Sequence, residues 1–296
     1  MLWLLDGQPP QTALLSARIA LGFARIAALA CLALAAPAAA DRLPKWEAGA
    51  GLSLLDFPDY RGADERSTLV LPFPYLIYRG EVLRLDREGL RGLLVESDRV
   101  ELDVSANASI PVDSEDNATR RGMPDLDAAL EIGPSLNLTL YGHRSQRVEV
   151  QLKLPLRAVI ATDFSHARAQ GFVFEPRLNV DIRARRAGLG WRGGAAIGPV
   201  FVSDEYASYF YSVAPAYATA ARPAYQAEGG YAGTQVTLSL TWRGRSLWAG
   251  AFLRQDWLAG ASFVDSPLVR QKQALAVGVG VAWVFARSQT LVEAYD

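Results

Sequence analysis

The chain has 296 residues, with 30 Lys and Arg against 31 Asp and Glu and a formal net charge of −1. That balance excludes the basic footprint of a nucleic-acid binder. Half of the residues are hydrophobic, yet mean hydropathy is only +0.08. Apolar residues are therefore interleaved with polar ones rather than gathered into runs.

The first feature in chain order is a leader. Arg18 and Arg25 precede the apolar stretch from Ile26 to Ala36, and Ala38-Ala39-Ala40 stands before Asp41. A charged region, a short apolar region and small residues at its end predict a cleaved secretory signal over 1–40. The apolar stretch is too short to span a bilayer as a helix, which needs roughly 20 residues. The single cysteine, Cys31, lies within it, and Ala28-Leu29 before it makes a poor lipobox. The expected mature chain, 41–296, is exported without any disulfide. After residue 40 no stretch reaches 18 apolar residues, which argues against a helical membrane protein.

Twelve strands are expected next, at 46–55, 68–78, 81–86, 90–96, 99–109, 127–141, 146–160, 171–184, 188–203, 230–243, 246–257 and 274–286. The seventh shows the pattern best. Val148, Val150, Leu152, Leu154 and Leu156 share one parity, and Glu149, Gln151, Lys153, Pro155 and Arg157 the other. A period of two makes a strand with one apolar and one polar face. In a soluble sandwich the apolar face meets a core; in an outer-membrane barrel it meets lipid. Alternation alone does not separate the two.

The connections favour the barrel. Those after the even-numbered strands are short: Arg79-Gly80, Ser97-Asp98, Gly142 to Ser145, Ala184 to Ala187 and Gly244-Arg245. Those after the first, fifth, seventh, ninth and eleventh are long: 56–67, 110–126, 161–170, 204–229 and 258–273. Only Arg87-Glu88-Gly89 breaks the rule. Short periplasmic turns and longer external loops are the outer-membrane pattern. A wet lumen would be lined by Glu149, Lys153, Arg157, Glu175, Arg177, Asp181 and Arg183, whose opposite charges suit pairing across neighbouring strands. Aromatic residues near strand ends (Trp46, Tyr75, Tyr78, Tyr141, Trp191, Trp242, Trp248, Trp257, Trp283 and Phe285) suit interfacial girdles.

Longer motifs carry a resemblance. They are the block from Leu71 (LPFPYLIYRGEVLRL) to Tyr141, Phe57-Pro-Asp-Tyr-Arg-Gly62, YFYSVAPAYATAARPAY at 209–225, and Asp265-Ser-Pro-Leu-Val269. In these the mature chain closely resembles the MipA/OmpV family. The resemblance implies an outer-membrane barrel of Gram-negative bacteria, and a scaffold that joins a lytic murein transglycosylase to a bifunctional murein synthase. Gly280-Val-Ala-Trp283-Val-Phe285 also looks like a C-terminal assembly signal, although Ala286 to Asp296 follow it.

Little in the chain suggests catalysis. His143 falls in a short turn and His166 in a loop at the opposite end, so a membrane thickness of roughly 30 Å should separate them. The carboxylates of 110–126 (Asp113, Glu115, Asp116, Asp125) lack the spacing of a calcium loop. A solvated, salt-bridged loop near lipopolysaccharide is the simpler reading. Glycines such as Gly49, Gly51, Gly278 and Gly280 lie inside strands, where they make bends or room for bulky neighbours. Residues 204–225, rich in tyrosine, either fold onto the barrel mouth, as a short helix or plug, or present a tyrosine-rich loop surface.

The expectation is therefore a non-enzymatic, all-β antiparallel transmembrane barrel of about twelve strands, with no cofactor, metal or nucleic acid. Its surroundings would be outer-membrane lipid and lipopolysaccharide. Two functions stand side by side: the scaffold, or a narrow diffusion pore for small solutes. Periplasmic contacts would come from Arg79, His143, Arg144, Arg185, Arg186, Arg243 and Arg245, with 41–45 and 287–296 beside them.

Overall fold

The computed structural model describes residues 41–294, apart from 81–82, 87–88, 98, 143–146, 164 and 184–188. The leader with Cys31, and the turn residues His143, Arg144, Arg185 and Arg186, lie outside the described residues.

The described residues form fifteen strands: β1 (Asp41–Pro44), β2 (Trp46–Pro58), β3 (Arg66–Arg79), β4 (Leu83–Asp86), β5 (Gly89–Glu96), β6 (Val100–Ser109), β7 (Ala128–Tyr141), β8 (Val148–Thr162), β9 (Ala167–Phe174), β10 (Arg177–Arg183), β11 (Gly190–Val202), β12 (Gly230–Arg243), β13 (Leu247–Trp257), β14 (Gln273–Arg287) and β15 (Leu291–Ala294). Among the described residues one α-helix, α1 (Asp204–Tyr211), follows β11, and a 3-10 turn, Pro215–Tyr217, comes after it. From β2 to β14 every pairing is antiparallel. β8 is paired by β7 on one side and by β9 and β10 on the other. β9 and β10 both pair onward with β11, and β14 returns to β2. The ladder therefore comes back on itself as an all-β antiparallel barrel.

Taken together, β9 and β10 are the expected strand at 171–184, interrupted at Glu175-Pro176. Pro176 has no amide hydrogen to give a neighbour. Its carbonyl approaches β11 so closely that a Cβ on Gly198 would stand 2.0 Å from it. Glycine at 198 permits the kink. With that strand counted once, the twelve expected strands are all present. One connection differs: β8 runs to Thr162 and β9 starts at Ala167, so the loop expected over 161–170 is a short turn. Asp163 Oδ1 closes it by accepting from the Ser165 and His166 amides at 2.8 and 2.7 Å.

The faces are inverted relative to a soluble protein. On β8, Glu149, Lys153 and Arg157 are buried, while Leu156 is exposed. Val70 on β3 is 67% exposed and Trp283 on β14 is 64% exposed, and Val279 and Val281 are both open. In water this arrangement would forfeit the hydrophobic contribution and bury charge as well. In a bilayer it is favourable, and it is the surface of a transmembrane barrel. Aromatics mark both rims. Trp191, Trp283, Phe285 and Tyr141 are exposed near the short-turn end, and Phe172, Phe201 and Trp257 near the long-loop end. Tyr231 and Trp242 stand eleven positions apart on β12. That is about 36 Å of strand, or about 25–30 Å of height at the usual tilt.

Two expected girdle residues belong elsewhere. Tyr75 is buried, and Trp248 packs against it and against Phe73, with centroids at 5.9 and 6.1 Å. Strand parity turns both inward. The chain does not stop at Phe285: β14 continues to Arg287, and β15 pairs with β1, Asp41 opposite Ala294 and Pro44 opposite Leu291.

Candidate functional site in the barrel interior

The interior is built by the inward parity of the strands, and charge fills much of it. Arg157, 3% exposed, donates from Nε to Glu131 Oε2 at 2.9 Å and also pairs with Glu175. It ties β7 to β8 and to the β9–β10 kink. Arg183 on β10 donates to Glu149 on β8 at 2.7 Å. Arg192 on β11 pairs with Asp181 on β10 at 3.1 Å. Arg177 stands opposite Lys153 in register. A polar cavity of about 230 Å³ lies among Lys153, Glu175, Arg177, Asn179 and Asp181. The seven charged residues named from strand parity thus lie together on one side of the interior.

Several partners escaped the sequence reading: Glu131, Asp103, Asn137, Arg192, Arg61 and Asp256. Asn137 Nδ2 donates to Asp103 Oδ2 at 3.1 Å, and Ser135 Oγ to Asn137 Oδ1 at 2.9 Å. Arg61 Nε donates to the buried Asp256 Oδ1 at 2.9 Å. The parity of β6, β7, β11 and β13 carried this signal. Arg61 did not, because it comes from a connection that bends inward.

The long-loop end is closed by a packed cap. The connections 59–65, 110–127, 203–229 and 258–272 share one apolar cluster that includes Tyr60, Val112, Leu126, Tyr211, Phe263 and Leu268. Ser203 caps α1, its side chain accepting from the Tyr206 amide. Tyr211, at the last turn, donates its hydroxyl to the Arg61 carbonyl at 2.9 Å. Tyr60 donates to the Leu268 carbonyl at 2.8 Å. Arg120 is buried beside the Tyr60 ring and donates to the Pro124 carbonyl at 3.0 Å and the Phe210 carbonyl at 3.3 Å. Arg222 binds the carbonyls of Thr119, Arg121 and Tyr217. Two arginines therefore tie the connections together by donating charge-assisted hydrogen bonds to their carbonyls. Burial pushes the Tyr60, Tyr206 and Tyr211 hydroxyls well above the usual tyrosine range.

The loop 110–127 is thus structural at its centre and acidic at its surface. Ser114, Asn117 and Arg120 are buried, while Asp113, Glu115, Asp116 and Asp125 are exposed. Among the described residues no group of three or more His, Cys, Asp or Glu is arranged to hold a metal ion. His166 is exposed beside Asp163, with Nδ1 3.6 Å from Oδ2.

The short-turn end is closed differently. Arg243 is buried there, paired with Glu47, its guanidinium 5.5 Å from the Tyr75 ring centroid. It points into the barrel rather than toward a partner, because residue 243 has the inward parity of β12. That corrects the expectation of a surface contact at Arg243. Arg79 also pairs with Glu47, at 3.0 Å, and donates to the Pro44 carbonyl at 2.7 Å. It fastens the β1–β15 ribbon to the barrel rim. Arg245 is exposed at the tip of its turn.

A family model described as MltA-interacting protein MipA matches residues 38–285. A comparison with curated proteins finds no match. Among solved structures, the chain is similar to a bacterial polysaccharide outer membrane secretin, with 11% identity, 81% of this chain and 99% of that one covered, and a TM-score of 0.38. It is also similar to the NanC porin, with 8% identity, coverages of 80% and 98%, and a TM-score of 0.35. A third is OmpT, an outer membrane protein of Vibrio cholerae, with 9% identity, coverages of 85% and 100%, and a TM-score of 0.33.

Proposed function

Since the chain belongs to the MipA family, we propose that it is a non-catalytic outer-membrane scaffold. Its barrel anchors the protein, and its short-turn end meets murein-remodelling enzymes in the periplasm. The partners in this reading are a lytic transglycosylase, which the family description suggests, and a murein synthase. Residues 1–40 act as the cleaved export signal. The outward apolar face contacts lipid, and the exposed acidic loops face lipopolysaccharide.

The observation that carries the reading is the covering of both ends of the interior. Ion pairs between neighbouring strands fill one side of the lumen, a packed cap covers one end, and Glu47 with Arg79 and Arg243 crosses near the other. A barrel covered at both ends in this way leaves those ends as working surfaces. The periplasmic turns are short, but the β1–β15 ribbon enlarges that end, and Arg79 holds it in place. Arg245 lies on the same rim. A narrow diffusion pore is the second reading, favoured by the polar cavity that remains in the lumen.

Crosslinking in intact cells from a photoreactive residue at position 245 tests the scaffold. Capture of a transglycosylase or a murein synthase supports it. Capture of assembly-machinery or lipoprotein neighbours only, together with solute conductance in planar bilayers, overturns it in favour of the pore.

A further inference from the structure

One side of the interior is polar along its length; the middle of the other side is not. On β13, β14, β2 and β3 the inward positions are mostly glycine, alanine and aromatic residues. The rings lie over the glycines. A Cβ on Gly51 would stand 2.6 Å from Phe73 Cζ, one on Gly250 would stand 2.5 Å from a Trp248 ring carbon, and one on Gly278 would meet the Phe252 ring. Glycine thus opens the wall, and the aromatic rings resurface it. The result is a cavity of about 390 Å³ walled by Phe73, Trp248 and Phe252. Beside these rings, on the neighbouring strand β12, are Ser239, in register with Phe252, and Thr241, in register with Gly250; the Asp181–Arg192 pair lies next to them. Asp181 and Ser239 also border the polar cavity, so the two spaces adjoin.

We infer that this chamber is a binding site for a small neutral aromatic molecule of one or two rings bearing a hydroxyl group. Water against apolar walls lacks partners, and a ring that displaces it gains contact. An apolar cavity of about 150 Å³ already admits benzene, so this one has room for a substituted ring. The adjoining strand β12 supplies hydroxyls at the edge of the chamber, and hydroxyls both donate and accept. Asp181 and Arg192 already neutralise each other, so a charged ligand would be desolvated without a counter-charge. The inference goes beyond the scaffold reading and does not depend on any protein partner.

The test uses the full barrel in lipid nanodiscs, with 4-fluorophenol titrated and followed by fluorine NMR. Saturable binding is expected. Gly280 borders the chamber, and a Cβ there meets only ordinary contacts at 3.5 Å or more. Gly280→Val therefore fills the space without a backbone clash, and binding should weaken by about tenfold or more. If that variant does not assemble, Ser239→Leu fills the chamber from the adjoining strand β12 with the same expectation. The anion 4-fluorobenzoate should bind at least about tenfold more weakly than the phenol. Non-saturable partitioning that is equal in wild type and variant overturns the inference. Tighter binding of the anion overturns the neutral class.

Discussion

The rings of Tyr211 and Phe263 stack at 3.7 Å between centroids with planes 8° apart, and both side chains are fully buried. One residue ends α1, and the other lies in the connection between β13 and β14. Their contact joins two loops separated by β12 and β13 in the chain. Ser266 reinforces it by donating to the Tyr211 carbonyl at 2.6 Å.

Truncating either ring should open the cap without unfolding the barrel. Phe263→Ala is expected to cost the cap about 3–5 kcal/mol. Limited proteolysis should then cut within 203–229 and 258–272, while the barrel keeps its heat-modifiable migration on gels. Global loss of the folded band would show that cap and barrel form one cooperative unit.

The cap should also loosen in alkali. Folding holds the protons of Tyr60, Tyr206 and Tyr211 more tightly than the unfolded chain does, where the ordinary value is 10. Above that value the folded cap binds more protons than the unfolded one, so stability falls as pH rises. Below it the contribution is complete. Protease cleavage of the cap should therefore rise steeply between about pH 10 and higher values, together with tyrosinate absorbance. Smooth, non-cooperative tyrosine titration with no new cleavage would contradict this.

Arg157 offers a test of the interior. Arg157→Ala leaves Glu131 and Glu175 facing each other without their cation. Breaking a buried pair in this way costs about 3–5 kcal/mol, to be read as a lower urea midpoint for unfolding from bilayers. Arg157→Ala combined with Glu131→Gln and Glu175→Gln should recover part of that loss. Conductance through the single variant measures how much the arginine obstructs the lumen.

Val279 tests the lipid-facing surface. It is 54% exposed near the middle of β14. An arginine there should destabilise the membrane-inserted barrel by about 2–4 kcal/mol. In a soluble sandwich the same change would be neutral, so equal urea midpoints for wild type and Val279→Arg would argue against a transmembrane barrel.

Much of the architecture was legible before the fold was known. The parity of Val148 to Arg157 marked two faces, and loop lengths sorted by end pointed to a barrel. The kink at Glu175-Pro176 had a visible cause in the proline, yet local alternation resumes after it, so the break itself stayed hidden. The turn at 163–166 was masked because Ala167 to Gln170 do not alternate strongly, and pairing with β8 makes them a strand all the same.

The amino-acid order by itself determined where strands run and which residues share a face, because a strand repeats every two residues whatever surrounds it. Only the tertiary structure decided which partner each face meets. It turned Tyr75, Trp248 and Arg243 inward, brought Glu47 to Arg243 across 196 positions, and folded four connections into one buried cluster. Those outcomes depend on which distant strands and loops come together as the ladder closes. Local periodicity does not contain that information.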